Sequence, residues 1–133
     1  MVLVDTSVWS LALRRQQPQN VGAVAELQYL IQTEQVQIIG PIRQELLSGI
    51  REQAQFEALQ NHLRTFPDLP LSTTDYEQAA DFFNLARSRG IQGSNTDFLI
   101  CAVAAEYDMP ILTTDKDFEF FQTHLPIKLH QWG

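Results

Sequence analysis

The 133 residues carry 16 acidic side chains against 9 basic ones, a formal charge of −7, and 44% of them are hydrophobic. That length fits one compact domain, expected to span residues 1–133, with enough apolar material for a core that needs no metal or disulfide staple. The acidic balance excludes a general nucleic-acid coat protein, because nonspecific affinity for phosphates comes from Lys and Arg, and the single cysteine, Cys101, excludes a disulfide framework.

Val2-Leu3-Val4 reads as a short buried strand, and Thr6 or Ser7 is placed to start a helix through Trp9, Leu11 and Leu13. After the polar break at residues 16–20, Val21, Val24, Leu27, Leu30 and Ile31 follow helical spacing, and Val36 to Ile39 reads as a second strand. Gly40-Pro41 opens another helix, since proline is tolerated at the first helical position, and Leu46, Leu47 and Ile50 carry it past Gly49. Phe56, Leu59 and Leu63 mark a further helix, and Leu69 to Ser72 reads as a third strand. Tyr76, Ala79, Ala80, Phe83 and Ala86 form a helical stripe ending near Gly90. Residues from about Ser94 to Tyr107 make a helix apolar on most sides, which belongs in the core and takes Cys101 with it. Ile111 to Thr113 is a fourth strand, Asp115 to Thr123 a helix, and Ile127 to Leu129 a last strand. Strands separated by helices throughout indicate an α/β fold with a mostly parallel sheet covered on both faces. The chain start, where Asp5 follows at once, does not resemble a signal peptide, and no apolar run reaches membrane-spanning length, so a soluble cytoplasmic protein is expected.

In open α/β sheets ligands bind beyond the carboxyl ends of the strands. Asp5 directly follows strand one, Asp115 follows Ile111 to Thr113, and Glu45 sits about one turn into the helix after Val36 to Ile39, so these acids converge on one edge. Asp97, in the first turn of the helix from Ser94, joins them if that helix packs alongside. Two bare carboxylates about 4 Å apart repel by roughly 4 kcal/mol at an effective dielectric near 20, so a cluster of four calls for cations. Oxygen-only donors suit Mg²⁺ or Mn²⁺, and no His or Cys spacing offers a zinc site; His62, His124 and His130 share no ligand spacing. Each acid also has a plainer reading. Ser94-x-x-Asp97 and Thr114-x-x-Asp117 both match a helix capping box, and Glu45 alone is ordinarily a solvated helix residue.

Four segments then carry a resemblance: Val2-Leu3-Val4-Asp5-Thr6-Ser7, Pro41 to Gly49 around Glu45, Gly93 to Ala102 around Asp97, and Leu112-Thr113-Thr114-Asp115-Lys116-Asp117-Phe118. In order, spacing and total length they resemble the PIN-domain nucleases, and within these the VapC-type toxins of bacterial and archaeal toxin-antitoxin pairs. The resemblance implies a three-layer α/β/α PIN-like fold with about five short strands. It implies that Asp5, Glu45, Asp97 and Asp115 hold one or two Mg²⁺ or Mn²⁺ ions, with Ser7 orienting the ligands or a water and Asp117 a candidate to join them. It further implies a metal-dependent endoribonuclease, a homodimer and inhibition by a small antitoxin protein.

Arg43 and Lys116 are candidate RNA contacts because each neighbours a proposed ligand; Arg14, Arg15, Arg51, Arg87 and Arg89 are weaker candidates. Trp9 and Phe82 are candidates for stacking on bases, with core packing the default for both. Phe118, Phe120 and Phe121 cannot all face one side of a helix, so one is expected at a subunit or domain contact. The alternative from another class is a PIN-like module that docks RNA or protein without cutting. A phosphoryl-transfer domain with Asp5 as nucleophile fits less well: haloacid-dehalogenase-like phosphatases want a second Asp two residues on, where Ser7 stands.

Overall fold

The computed structural model describes residues 1–13 and 21–132. Its centre is strand β1 (Val2–Val4), whose residues are at most 4% exposed. β2 (Val36–Gln37) pairs with it in parallel on one side and β3 (Ile111–Leu112) on the other, giving the order β2-β1-β3. The registers Leu3↔Gln37 and Leu3↔Ile111 align the carboxyl ends of all three strands. Burial on both faces requires apolar residues at consecutive positions, and Val-Leu-Val and Ile-Leu supply them.

Seven helices flank this sheet among the described residues: α1 (Thr6–Leu13), α2 (Val21–Gln32), α3 (Gly40–Leu47), α4 (Gln53–Leu63), α5 (Thr73–Ser88), α6 (Asn95–Glu106) and α7 (Asp117–His124). The parallel α/β class expected from the sequence is therefore present. α6 is the central helix: every residue from Phe98 to Ala104 is buried, Cys101 among them. Its all-round apolar surface is satisfied by packing on α5 and, through its own Phe98, on Phe83 and on Phe121, which in turn meets Phe118. None of these helices is long and apolar enough to cross a membrane.

Several sequence expectations are corrected. The described residues form three strands, where five are expected. Near Leu69 to Ser72 an isolated parallel bridge falls one residue earlier, Asp68 with Ile38, and Ile127 to Leu129 contributes another, Leu129 with Ile111. Pro67 and Pro70 have no N–H to extend a ladder past the first, and the chain after Leu129 leaves the sheet for α2. α3 stops at Leu47, because Ser48 is extended and Gly49 takes φ +88°, so Ile50 does not continue it. On α5 the buried stripe is Asp75, Ala79, Phe82 and Ala86. Phe82 is thus a core residue and unavailable to a base, whereas Tyr76, expected on the inner stripe, is exposed. Trp9 is likewise buried, edge-on to Phe66 with centroids 5.2 Å apart, so Trp9 and Phe82 both take the core packing expected of them by default. Of the α7 aromatics, Phe118 and Phe121 enter the core and Phe120 remains exposed. Arg14 and Arg15 lie outside the described residues.

Candidate active site

Asp5 is the first residue beyond the central strand, and it is only 4% exposed. A buried carboxylate is costly unless its oxygens are satisfied. Two hydroxyls provide this: Ser7 Oγ and Thr113 Oγ1 each donate to Asp5 Oδ2 at 2.8 Å. Both hydroxyls also accept from the loop that follows β3, Ser7 from the Thr114 N–H at 3.2 Å and Thr113 from the Asp115 N–H at 3.0 Å. Two short relays therefore run from the backbone of that loop through a hydroxyl to the same oxygen, and they fix Asp115 beside Asp5. Burial pushes the Asp5 carboxyl above its ordinary range. The bonds from Thr113, Ser7 and the Thr6 backbone pull it partly back, and the charge of Asp115 pushes it up again.

Asp97 enters from α6. Ser94 caps this helix in a complete capping box: the Asp97 N–H donates to Ser94 Oγ and the Ser94 N–H donates to Asp97 Oδ2, both at 3.0 Å. The plain capping reading of Asp97 is thus correct. It does not exhaust the residue, because burial first and then the charges of Asp5 and Asp115 raise its carboxyl despite the Ser94 bonds. The neighbouring Cys101 thiol is pushed far up by burial, then by Asp97 and Asp5, which makes it an inert core group. Gly93 allows the approach to α6, since a Cβ there would stand 2.7 Å from Phe121 Cζ and 3.0 Å from Phe98 Cε2.

Glu45 sits on exposed α3, where its Oε1 accepts from Thr6 Oγ1 at 2.7 Å, next along the chain from Asp5. The structure thus brings Asp5, Asp97 and Asp115 into one electrostatic neighbourhood and ties Glu45 to its β2 side. The second capping box does not form. Thr114 makes no cap for Asp117; instead Asp115 Oδ1 accepts the Asp117 N–H at 2.9 Å, while the Asp117 side chain is exposed. Arg43, expected near phosphates, is turned inward. Its guanidinium donates to Asp68, to the Leu63 carbonyl at 2.9 Å and to the Phe66 carbonyl, stapling α3 to the end of α4. Lys116 is exposed. Thr113 and Thr6 were missed by sequence reasoning; the signal available for each was a hydroxyl beside an acid just past a strand.

Among the described residues no three acidic, imidazole or thiol side chains yet stand within joint reach of one metal ion. Each of three acids is instead turned onto a local donor: Asp97 onto Ser94, Asp115 onto Asp117, Glu45 onto Thr6. The donor set nevertheless fits a hard divalent cation, being oxygen throughout, and the burial and neighbouring acid charge that raise Asp5 and Asp97 are costs of negative charge that a bound cation offsets.

Two clefts flank the acids. On the β3 side a cleft of about 360 Å³ is lined by Thr114, Asp115, Lys116, Gln131 and Trp132, among others. On the β2 side a shallower one of about 580 Å³ is lined by Thr6, Gln44, Glu45, Ser48 and Thr96.

The PIN domain family model matches residues 2–121, nearly the whole chain and all four acids. The chain belongs to the PIN-domain family. Solved structures similar to this PIN domain include FitAcB from Neisseria gonorrhoeae, with a TM-score of 0.77 at 24% identity, covering 98% of this chain and 97% of that one. FitAB bound to the IR36 DNA fragment gives 0.75 at 23%, covering 98% and 94%. VapBC2 from Rickettsia felis, bound to a DNA fragment from their promoter, gives 0.77 at 17%, with 100% of both chains covered. At these identities the likeness is one of fold. A comparison with curated protein sequences returned no match.

Proposed function

We propose that this PIN domain is a metal-dependent endoribonuclease, the toxin of a toxin-antitoxin pair acting in the cytoplasm. The single observation that carries the reading is the convergence of Asp5, Asp97 and Asp115 at the carboxyl ends of β1 and β3, where burial first and then neighbouring acid charge, that of Asp115 on Asp5 and those of Asp5 and Asp115 on Asp97, raise two of the carboxyls. Fold similarity to FitAB and VapBC2 supports the toxin assignment and a small antitoxin protein as partner; the homodimer belongs to the same proposal.

Asp5, Asp97 and Asp115 would hold Mg²⁺ or Mn²⁺, with Glu45 as a further ligand or as the acid that positions the attacking water. When bound, the ion supplies the positive charge that activates water and stabilises the charge developing on the scissile phosphate. The chain's own part is preorganisation. Ser7 and Thr113 hold one oxygen of Asp5 in place, and the loop relays fix Asp115 at a set distance from it. The Ser94 N–H engages only Oδ2 of Asp97, so the other oxygen of this carboxylate would hold the ion while the cap of α6 stays in place. Lys116, exposed beside Asp115, is the cation placed to meet a phosphate; Arg43 is committed to α4 and is a structural residue in this reading.

The test is cleavage of mixed cellular RNA by the purified, antitoxin-free chain with Mg²⁺ or Mn²⁺, with chelator, and with Asp97→Asn. Cleavage abolished by both chelator and substitution is expected. A folded sample that cuts nothing with either metal would instead favour a docking module that binds without cutting.

A further inference from the structure

The cleft on the β3 side begins at Asp115 and is closed by the chain after Leu129. That wall is fastened at three points. The His130 N–H donates to the Ile111 carbonyl at 2.7 Å, His130 Nε2 lies 2.7 Å from Glu26 Oε2 on α2, and the Trp132 indole edge rests on Gly22. Gly22 leaves the room for it: a Cβ there would stand 3.1 Å from both Cδ1 and Nε1 of the indole. The indole is 39% exposed, an aromatic surface held in place at the cleft. Among the other lining groups, Lys116 is a cation next in sequence to the proposed metal ligand Asp115, while Thr114 and Gln131 offer uncharged donors and acceptors.

We infer that this cleft seats one nucleotide of a single-stranded RNA substrate, its base stacked on Trp132 and its phosphate against Lys116, next to the phosphate that is cut. The inference rests on the ribonuclease reading and adds to it the residue that selects where the strand lies. Three features together point to this occupant. A volume of about 360 Å³ is within the range of small-molecule sites and accommodates a nucleoside. Aromatic stacking accepts any base that has been freed from a duplex. The cleft is continuous with the acids through Asp115, whose N–H is bonded to the Thr113 hydroxyl that holds Asp5. The sheet order places the polar Thr6, Gln44, Ser48 and Thr96 cleft on the opposite, β2 side, so a strand entering over Trp132 passes the acids and leaves across hydroxyls and amides.

The test uses the whole chain and two readouts. Of the two tryptophans Trp9 is 1% exposed and Trp132 39%, so emission quenched by an added ligand reports chiefly on Trp132. Titration with AMP, CMP, GMP and UMP in chelator is expected to give saturable quenching that disappears in Trp132→Leu. In metal-supported cleavage of a single-stranded RNA, Trp132→Leu is expected to raise KM by roughly five- to 150-fold, the span of one lost stack, with kcat much less affected, and Trp132→Tyr to restore most of the affinity. Equal melting temperatures of the variants separate this from misfolding. Unquenched emission together with an unchanged KM in Trp132→Leu would overturn the inference. If the wild-type chain cuts no RNA, the ribonuclease reading fails on its own, and the nucleotide titration still decides whether the cleft binds.

Discussion

Thr113 Oγ1 donates to Asp5 Oδ2 at 2.8 Å across 108 residues of sequence, joining the ends of two adjacent parallel strands through a carboxylate that is almost wholly buried. The same hydroxyl accepts the Asp115 N–H, so one small side chain sets the relation between two of the proposed metal ligands.

Replacing that hydroxyl by a methyl leaves one bond fewer on a buried charge. Thr113→Val is expected to destabilise the protein by about 1–3 kcal/mol at neutral pH, the cost of leaving a buried polar group short of a partner. Because the Thr113 bond lowers the Asp5 carboxyl, its loss also drives Asp5 further up. Urea unfolding at pH 7 and pH 4 checks both, the deficit being smaller at the lower pH as Asp5 takes up a proton.

The sign of the charge effect at Asp97 is opposite to that of an ordinary paired acid. Its folded carboxyl is raised, so the folded state holds the proton more tightly than the unfolded chain does. The stability that this tighter proton binding contributes is fully present below the unfolded value near 3.8, declines as pH rises past it, and is gone above the folded value. Asp97→Asn keeps an oxygen for the Ser94 cap and removes the charge, so the metal-free variant is expected to melt higher than wild type at pH 7. Added Mn²⁺ should then raise the melting temperature of wild type and leave the variant nearly unmoved, since only a ligand bound to the folded state shifts it.

Gly93 is required for space rather than for backbone freedom. Gly93→Ala forces a methyl against Phe121 and Phe98 and is expected to cost about 1–3 kcal/mol, the usual range for overpacking. The same clash at the entry to α6 should also loosen Asp97, visible as weaker Mn²⁺ stabilisation in the same melting assay.

Arg43→Ala separates structure from substrate binding. It removes the donors to the Leu63 and Phe66 carbonyls, and a loss of about 1–3 kcal/mol is expected. RNA affinity should hold at temperatures where the variant is folded; Lys116→Ala, by contrast, should weaken binding while leaving the melting temperature unchanged.

Much of this arrangement was legible in the residues, and the exceptions share a cause. β1, the burial of α6 and the Ser94 cap follow from local pattern: three apolar residues before an acid, a helix apolar all round, and a hydroxyl three residues ahead of a carboxylate. The position of Asp5 and Asp115 follows from the general rule for parallel sheets. The Thr113 and Thr6 contacts, the inward turn of Arg43 and the wall made by Trp132 depend on residues distant in sequence, for which periodicity carries no information. Tyr76 stands on the opposite face from the one expected, and Phe82 takes its default core place on a stripe drawn in another phase, because a stripe that tolerates alanine can be drawn through α5 in more than one way. The two missing strands failed where proline interrupts the donors or where the tail departs for α2.

The most direct measurement of the central claim is the chemistry of the RNA ends. A 5′-labelled single-stranded RNA incubated with the purified chain and Mn²⁺ should yield fragments with 5′-phosphate and 3′-hydroxyl termini, as hydrolysis with departure of the 3′ oxygen requires, and chelator or Asp97→Asn should abolish them. Fragments ending in 2′,3′-cyclic phosphate and persisting in chelator would contradict the account, because they arise from attack by the ribose hydroxyl and need neither the ion nor the acids.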